Sequence, residues 1–271
     1  MARHRHGAKK LGFAYRFAVA VIQPILLLTT KRERRGLEYL EADYPPNDGI
    51  IVAANHLSWF DPMNVSHVMW DAGRPPRFMA KDALFRIFFI GWIMRNAGQI
   101  PVYRESEDPA SAIRDAIEAL HQGEAVLIYP EGTITRDPDL WPMTAKSGAA
   151  KAALISGAPV IPMAQWGPEK VMAPYKKEFH LLPRKNMVTY VGPPVDLDDL
   201  RGKEMTTEVL REASERIIAA ITGLLEEIRG EKAPTPRLDF RVWRQEQQAA
   251  QAAKAAADGN SPDAAPERRS A

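Results

Sequence analysis

Residues 50–62 read IIVAANHLSWFDP, and this stretch decides the fold. The run IIVAA is short, apolar and β-branched at its start, which predicts a buried strand. The pair Asp61-Pro62 predicts a helix that begins with an N-cap and carries proline at its first position. His56 would then leave the carboxyl end of the strand, and Asp61 would open the helix. A strand that leads through a short turn into a helix is typical of an α/β domain.

The same turn holds a candidate general base. The turn can fold the carboxylate of Asp61 back towards the imidazole of His56. A carboxylate on one ring nitrogen fixes the tautomer and raises the basicity of the other nitrogen, which could then take a proton from an alcohol. The alternative is a histidine that ends a strand and an aspartate that only caps a helix.

Strands and helices alternate along the rest of the chain. The pattern predicts strands at 50–54, 77–80, 99–103, 125–129, 160–165, 178–182 and 187–191, and helices at 62–70, 83–96, 109–122, 147–156 and 205–228. This order predicts a single α/β domain with a largely parallel central sheet flanked by helices. Functional loops gather at the carboxyl ends of such strands, where His56, Arg104 and Glu131 are expected.

Composition adds few constraints, but the two ends of the chain differ from the middle. The 271 residues are 45% hydrophobic and 26% charged, as in ordinary globular proteins. The absence of cysteine excludes disulfides, thiolate metal sites and a cysteine nucleophile. From Gln245 the chain is rich in glutamine and alanine, which predicts a frayed helix to about Ala257 and a disordered tail beyond it.

Residues 11–30 form the one candidate membrane element. The uninterrupted part, Phe17–Thr30, would make a helix of about 21 Å, short of the roughly 30 Å of a bilayer core. We therefore expect an N-terminal apolar membrane-associating helix that lies in the interface between the bilayer and water. Basic residues on both sides would hold it on anionic lipid: Lys9, Lys10, Lys31, Arg32, Arg34 and Arg35. The alternative is an apolar helix that caps the domain core.

Four motifs follow one another in a fixed order. They are NHLSWFD at 55–61, GQIPVYR at 98–104, YPEGT at 129–133 and VIPM at 160–163. In this order they resemble the glycerolipid acyltransferase family, the lysophosphatidic acid acyltransferases and their relatives. Two further segments, AKDALF at 80–85 and KSG at 146–148, also resemble that family. The resemblance covers roughly residues 36–192.

The resemblance implies a membrane-bound O-acyltransferase on the cytoplasmic face. It would move a fatty acyl group from acyl-CoA or acyl carrier protein to the sn-2 hydroxyl of 1-acyl-sn-glycerol-3-phosphate, giving phosphatidic acid. His56 and Asp61 would be catalytic, without an acyl-enzyme, a metal or a cofactor other than the thioester co-substrate, and without a nucleic-acid partner. The alternatives are acylation of glycerol-3-phosphate or another lysolipid, a lipid-binding scaffold, and a phosphoesterase, for which the required metal ligands are missing.

The resemblance also implies which residues meet the acceptor. Arg104 would bind its phosphate, unless it pairs with Glu105 or Glu107, and Lys81 is a second candidate. Glu131 would bond a glycerol hydroxyl or hold Arg104. Glycine at a strand end lets backbone N–H groups approach a ligand, which makes Gly132 and Thr133 candidates as well.

One position departs from the family pattern. The family commonly has arginine directly after the YPEGT threonine, whereas this chain has Ile134 and its next arginine is Arg136. Either Arg136 takes over the phosphate contact or that contact is missing. The helix at 83–96 would line an acyl groove or the membrane-facing rim, or else be a core helix. We expect an anchoring segment at 1–35, an acyltransferase domain at 36–230 and an extension at 231–271.

Overall fold

The structure, a computed structural model, describes residues 12–103 and 111–257. Its strands are β1 (Thr30–Arg35), β2 (Ile50–Ala54), β3 (Pro76–Lys81), β4 (Ile100–Val102), β5 (Ala125–Ile128), β6 (Val160–Trp166) and β7 (Lys185–Val191). Its α-helices are α1 (Phe13–Thr29), α2 (Glu38–Glu41), α3 (Asp61–Asp71), α4 (Asp82–Phe85), α5 (Phe88–Asn96), α6 (Ser111–His121), α7 (Gly148–Ser156), α8 (Pro168–Val171), α9 (Thr207–Arg229) and α10 (Phe240–Ala257).

The strands form one sheet in the order β1-β7-β6-β2-β5-β3-β4. Every neighbouring pair is parallel except β6 and β7, which run antiparallel. The central strand β2 is buried on both faces: Ile51 and Ala53 pack towards α6, α7 and α9, and Ile50 and Val52 pack towards α3. The predicted α/β fold, with a largely parallel sheet between helices, is confirmed. The carboxyl ends of β2, β3, β4 and β5 share one edge, where the candidate site lies.

Strand β1 was not predicted. Its sequence, TKRERR, is charged and falls within the predicted N-terminal anchoring segment. In the structure it pairs with β7 as the edge of the sheet. Arg34 forms an ion pair with Asp71 of α3 at 2.6 Å, and Nη1 of Arg32 lies 3.3 Å from Nε2 of His67. Charged side chains suit an edge strand because they oppose pairing with further chains.

Two other predicted elements differ from the structure. Residues 178–182 do not form a strand, so β7 has β1 and β6 as its neighbours. The predicted helix at 83–96 is broken into α4 and α5 between Phe85 and Phe88. The guanidinium of Arg95 donates to the carbonyl of Phe85, which satisfies a helix-end acceptor at the break. The predicted tail beyond Ala257 lies outside the described residues.

Helix α1 has a buried side and an exposed side. Ala14, Tyr15 and Leu26 are buried, whereas Phe13 and Leu28 are exposed. It packs on α3 through the stacked rings of Tyr15 and Trp70, and on α5 through an edge contact of Phe17 with Phe89. Among the residues that the structure describes, no helix combines the length and the apolarity that crossing a membrane requires.

Candidate active site

The turn after β2 brings His56 and Asp61 into contact. Nδ1 of His56 lies 2.8 Å from Oδ2 of Asp61, and the same oxygen accepts the backbone N–H groups of Leu57 at 2.5 Å and Ser58 at 2.8 Å. The sequence predicts Asp61 as the N-cap of the helix. In the structure Phe60 is the N-cap, and the carboxylate of Asp61 folds back over the turn. A carboxylate on Nδ1 leaves Nε2 as the nitrogen that can accept a proton.

Burial tunes this pair. Asp61 is fully buried, and burial raises the pKa of its carboxyl, while the bonds from His56, Leu57 and Ser58 oppose that rise. The His56 side chain is 12% exposed, and its ring stacks on Tyr129 with centroids 4.1 Å apart and planes 17° apart. The imidazole is therefore oriented by a hydrogen bond at its edge and by a ring against its face.

Glu131 contacts the backbone of the catalytic turn. Its carboxylate accepts the N–H of His56 at 3.0 Å and the N–H of Met143 at 3.0 Å, one on each oxygen. Burial raises the pKa of this carboxyl to about 8. The predicted partner of Glu131 is a glycerol hydroxyl or Arg104, and its hydrogen-bond partners among the described residues are these two backbone N–H groups. The N–H of Thr135 donates to the carbonyl of His56 at 2.8 Å, so the loop 131–136 is attached to both sides of His56.

Gly132 and Thr133 lie in this loop, which packs against the KSG segment. Gly132 has φ +70°, and a Cβ there would come within 2.9 Å of Nζ of Lys146. Glycine adopts that backbone angle without steric cost, and the nearest atoms belong to the end of a flexible lysine side chain. The N–H of Lys146 donates to the carbonyl of Pro130 at 2.8 Å. The Lys146 side chain therefore lies against Gly132, next in sequence to Glu131, which contacts the backbone of His56.

The remaining predicted site residues have different placements. Ile134, where the family pattern has arginine, is buried, and Arg136 is partly exposed, with its guanidinium over the rings of Tyr175 and Trp243. Lys81 is exposed at the carboxyl end of β3, on the same sheet edge as the pair. Arg104 lies outside the described residues.

A buried polar network behind the site was not predicted. The side chain of Asn55 accepts the N–H of Gln165 at 2.8 Å, and the side chain of Gln165 donates to the Asn55 carbonyl at 3.2 Å. Asn64 of α3 also donates to Gln165, at 2.9 Å. These bonds tie the ends of β2 and β6 to α3. A glutamine in the otherwise apolar strand β6 was a signal that could have indicated it, because buried polar side chains need partners.

An apolar cavity of about 500 Å³ lies between α1, α3 and α5, and its lining includes sequence neighbours of Asp61 but neither His56 nor Asp61. Trp59, Pro62 and Met63 line its wall in the turn and first residues of α3, on either side of Asp61. Helix α5 contributes Phe89, Ile90, Ile93 and Met94, and α1 contributes the opposite wall from Tyr15 to Leu26. A cavity of this size and lining suits a hydrocarbon chain.

A family model for acyltransferases matches residues 31–166. The chain belongs to the acyltransferase family. This acyltransferase is 29% identical over 210 residues to the 1-acyl-sn-glycerol-3-phosphate acyltransferase of Bacillus subtilis (strain 168), covering 75% of the chain and 94% of the relative. It is 30% identical over 206 residues to the enzyme of that name from Streptococcus pneumoniae (strain ATCC BAA-255 / R6), covering 73% and 70%.

The fold has a counterpart among solved structures. The crystal structure of the 1-acyl-sn-glycerophosphate (LPA) acyltransferase PlsC from Thermotoga maritima superposes with a TM-score of 0.58 and 23% identity. The match covers 81% of this chain and 83% of that one. At this identity the likeness concerns the fold.

Proposed function

We propose that this acyltransferase moves a fatty acyl group from a thioester to the sn-2 hydroxyl of 1-acyl-sn-glycerol-3-phosphate, forming phosphatidic acid. The observation that carries the proposal is the 2.8 Å contact of His56 Nδ1 with buried Asp61, in a chain whose relatives bear the name of this activity. The thioester is acyl-CoA or acyl-acyl carrier protein, and no other cofactor takes part.

The reaction balances without a covalent enzyme intermediate. Nε2 of His56 takes the proton of the acceptor hydroxyl as its oxygen bonds to the thioester carbon. The tetrahedral intermediate then collapses, the carbon–sulfur bond breaks, and the imidazolium returns its proton to the departing thiolate. Asp61 stabilises the imidazolium between these steps and keeps the ring oriented.

The apolar cavity is the proposed site of an acyl chain. Its lining includes Trp59, Pro62 and Met63, the sequence neighbours of Asp61, which supports a bound chain whose reacting end lies near His56. Apolar side chains of α1 and α5 would replace the water around the chain, which favours binding by roughly 0.8 kcal/mol for each buried methylene.

The polar edge of the sheet is the proposed site of the acceptor headgroup. Lys81, Arg104 and Arg136 supply charge for its phosphate, and Gly132 and Thr133 line its approach. The backbone bonds of Glu131 support a different role for that residue, which is to hold the loop against His56.

We also propose that the protein binds the cytoplasmic face of the cell membrane without spanning it. Helices α1 and α5, which both line the cavity, also carry exposed apolar side chains: Phe13, Phe17, Leu28, Phe88 and Phe89. A lysolipid acceptor would reach His56 from the bilayer across this surface. The cytoplasmic leaflet also carries the anionic lipid that basic side chains prefer.

One assay tests the activity. Purified protein is given labelled acyl-CoA or acyl-acyl carrier protein, and a panel of lysophosphatidic acid, glycerol-3-phosphate and other lysolipids. We expect labelled phosphatidic acid from lysophosphatidic acid, lost in His56→Ala and kept in His180→Ala, which changes an exposed histidine. Product from glycerol-3-phosphate alone would support the alternative acceptor. No product from any pair would support a lipid-binding scaffold.

A further inference from the structure

The guanidinium of Arg136 lies over two aromatic rings from distant parts of the chain. Its central carbon is 3.4 Å from the ring centroid of Tyr175, which follows α8, and 4.9 Å from that of Trp243, in the first turn of α10. Rings stack on the faces of a guanidinium, and its N–H groups point outward in its plane. Nε of Arg136 is buried without a hydrogen-bond partner among the described residues. That nitrogen is closed to solvent, but the residue as a whole is partly exposed, so we assign any ligand contact to the terminal Nη groups.

The loop that carries Arg136 is fixed to the catalytic turn. Thr135, its neighbour, donates its N–H to the carbonyl of His56 at 2.8 Å. The hydroxyl of Tyr175 donates to the carbonyl of Ile134, and Tyr175 itself has φ 60°, a backbone angle that non-glycine residues rarely adopt. Such a conformation persists when its surroundings hold it. The stacked guanidinium is therefore built into the wall of the active site.

The C-terminal extension brings the second ring. The side chain of Asp239 accepts the N–H of Arg241 at 2.7 Å and so caps the start of α10. Just before it, the carbonyl of Leu238 accepts the N–H of Thr144 at 3.0 Å. Trp243 stacks on Phe240 with centroids 5.8 Å apart, and Nζ of Lys146 lies 5.9 Å from the Phe240 ring. The extension therefore places aromatic rings near two cationic side chains, Arg136 at the end of the loop 131–136 and Lys146 beside that loop.

We propose that Trp243 is a positioning residue, which with Tyr175 holds Arg136 so that its in-plane N–H groups bind a phosphate monoester. This inference rests on the proposed function. Two substrates carry such a group, the lysolipid acceptor and the coenzyme A of the donor. Arg136 stands two residues after the position where the family commonly has arginine. The two rings that support it, Tyr175 and Trp243, lie outside residues 31–166, which match the family model.

Kinetics of single variants test the inference. Trp243→Ala should raise the KM of one substrate by about three- to tenfold, with little change in kcat, because a freed guanidinium pays more entropy to bind. A rise for lysophosphatidic acid assigns the phosphate to the acceptor, and a rise for acyl-CoA assigns it to the donor. Trp243→Phe keeps an aromatic ring at this position, so its KM should stay close to that of the wild type. Val242→Ala, an exposed neighbour on α10, should behave like the wild type.

A binding measurement separates this inference from the proposed function. Glycerol-3-phosphate at millimolar concentration should raise the melting temperature of the wild type, Trp243→Phe and Val242→Ala, compared with glycerol at equal ionic strength. The rise should be smaller in Arg136→Ala and Trp243→Ala. That pattern in a protein without acyltransferase activity would refute the proposed function but support the role of Trp243 in holding Arg136. The role of Trp243 would be refuted if Trp243→Ala left both the KM values and the rise in melting temperature unchanged. It would also be refuted if Trp243→Phe were as impaired as Trp243→Ala.

Discussion

At the scale of single residues, the chemistry depends on one nitrogen of His56. Replacing His56 with alanine should lower kcat by at least about 10²-fold, because the acceptor hydroxyl loses its base. Asp61→Asn should also lower kcat strongly, because an amide can stabilise the wrong tautomer. Steady-state assays beside circular dichroism measure both effects, with His180→Ala as the control. A folded His56→Ala protein with near-normal turnover would contradict the mechanism.

The catalytic pair could be predicted from sequence because its two residues lie in one turn. The environment of Arg136 could not, since Tyr175 and Trp243 come from other elements and no local spacing marks them. The hydrogen-bond partners of Glu131 could not be predicted for the same reason. Its motif placed it correctly at the end of β5, but only the folded chain shows that the backbone of His56 and Met143 takes up its oxygens.

At the scale of elements, α1 forms one wall of the cavity, and its small residues set the space for an acyl chain. Ala18 lines the cavity, whereas Ala20, on the same helix, is exposed and does not. Ala18→Phe should shift preference towards shorter acyl chains, changing the ratio of kcat/KM for long and short donors by about tenfold. Ala20→Phe should leave that ratio unchanged. Assays over a series of acyl-CoA lengths measure it, and equal shifts in both variants would contradict this placement.

The contact between β1 and α3 should make stability depend on pH. Burial and the nearby charges of Arg34 and Arg32 outweigh the attraction of Asp71 and lower the pKa of His67 to about 4. An unfolded histidine binds a proton below about pH 6.5. The unfolded state therefore holds more protons between these values, and stability is lost as the pH falls from about 6.5 towards 4.

Urea unfolding of His67→Gln measures this dependence. Between pH 7.5 and 5, the wild type should lose more unfolding free energy than His67→Gln. His121→Gln, which changes an exposed histidine in the last turn of α6, should follow the wild type. Parallel curves for the wild type and His67→Gln would show that His67 titrates normally in the folded protein.

The strands that are buried on both faces could be predicted from the sequence. Strands β2, β5 and β6 are apolar runs between turn signals, so their sequence reflects their environment directly. Strand β1 carries charges because it is an edge, and its pairing depends on β7, far along the chain. The break between α4 and α5 contains neither proline nor glycine, and tertiary contacts such as that of Arg95 with Phe85 accompany it.

At the scale of the whole molecule, the N-terminal region is part of the fold. Removing residues 1–35 would strip β1 from β7, as well as the Arg34–Asp71 ion pair and the α1 wall of the cavity. Such a truncation would disturb the domain together with any membrane contact. Arg32 and Arg34 are also engaged with α3, which leaves less of the basic cluster to attract anionic lipid. Apolar side chains are therefore the sharper test of membrane binding.

The exposed face of α5 should carry much of that binding. Phe88 is 92% exposed and Phe89 is 55% exposed, beside Phe17 of α1. Burying a phenylalanine in an apolar phase is worth about 2 kcal/mol, so the double variant Phe88→Ser and Phe89→Ser should bind vesicles at least about tenfold more weakly.

Sedimentation with vesicles of zwitterionic lipid, with and without anionic lipid, measures this binding. Phe179→Ser is the matched control, because Phe179 is 56% exposed but belongs to the segment before β7 rather than to α1 or α5. The single variant Phe88→Ser should also lose activity on acceptor embedded in vesicles and keep it on acceptor dispersed in detergent, since Phe88 lines neither the cavity nor the catalytic pair. If Phe179→Ser weakened vesicle binding as much as the double variant, the membrane-facing surface would have to lie elsewhere.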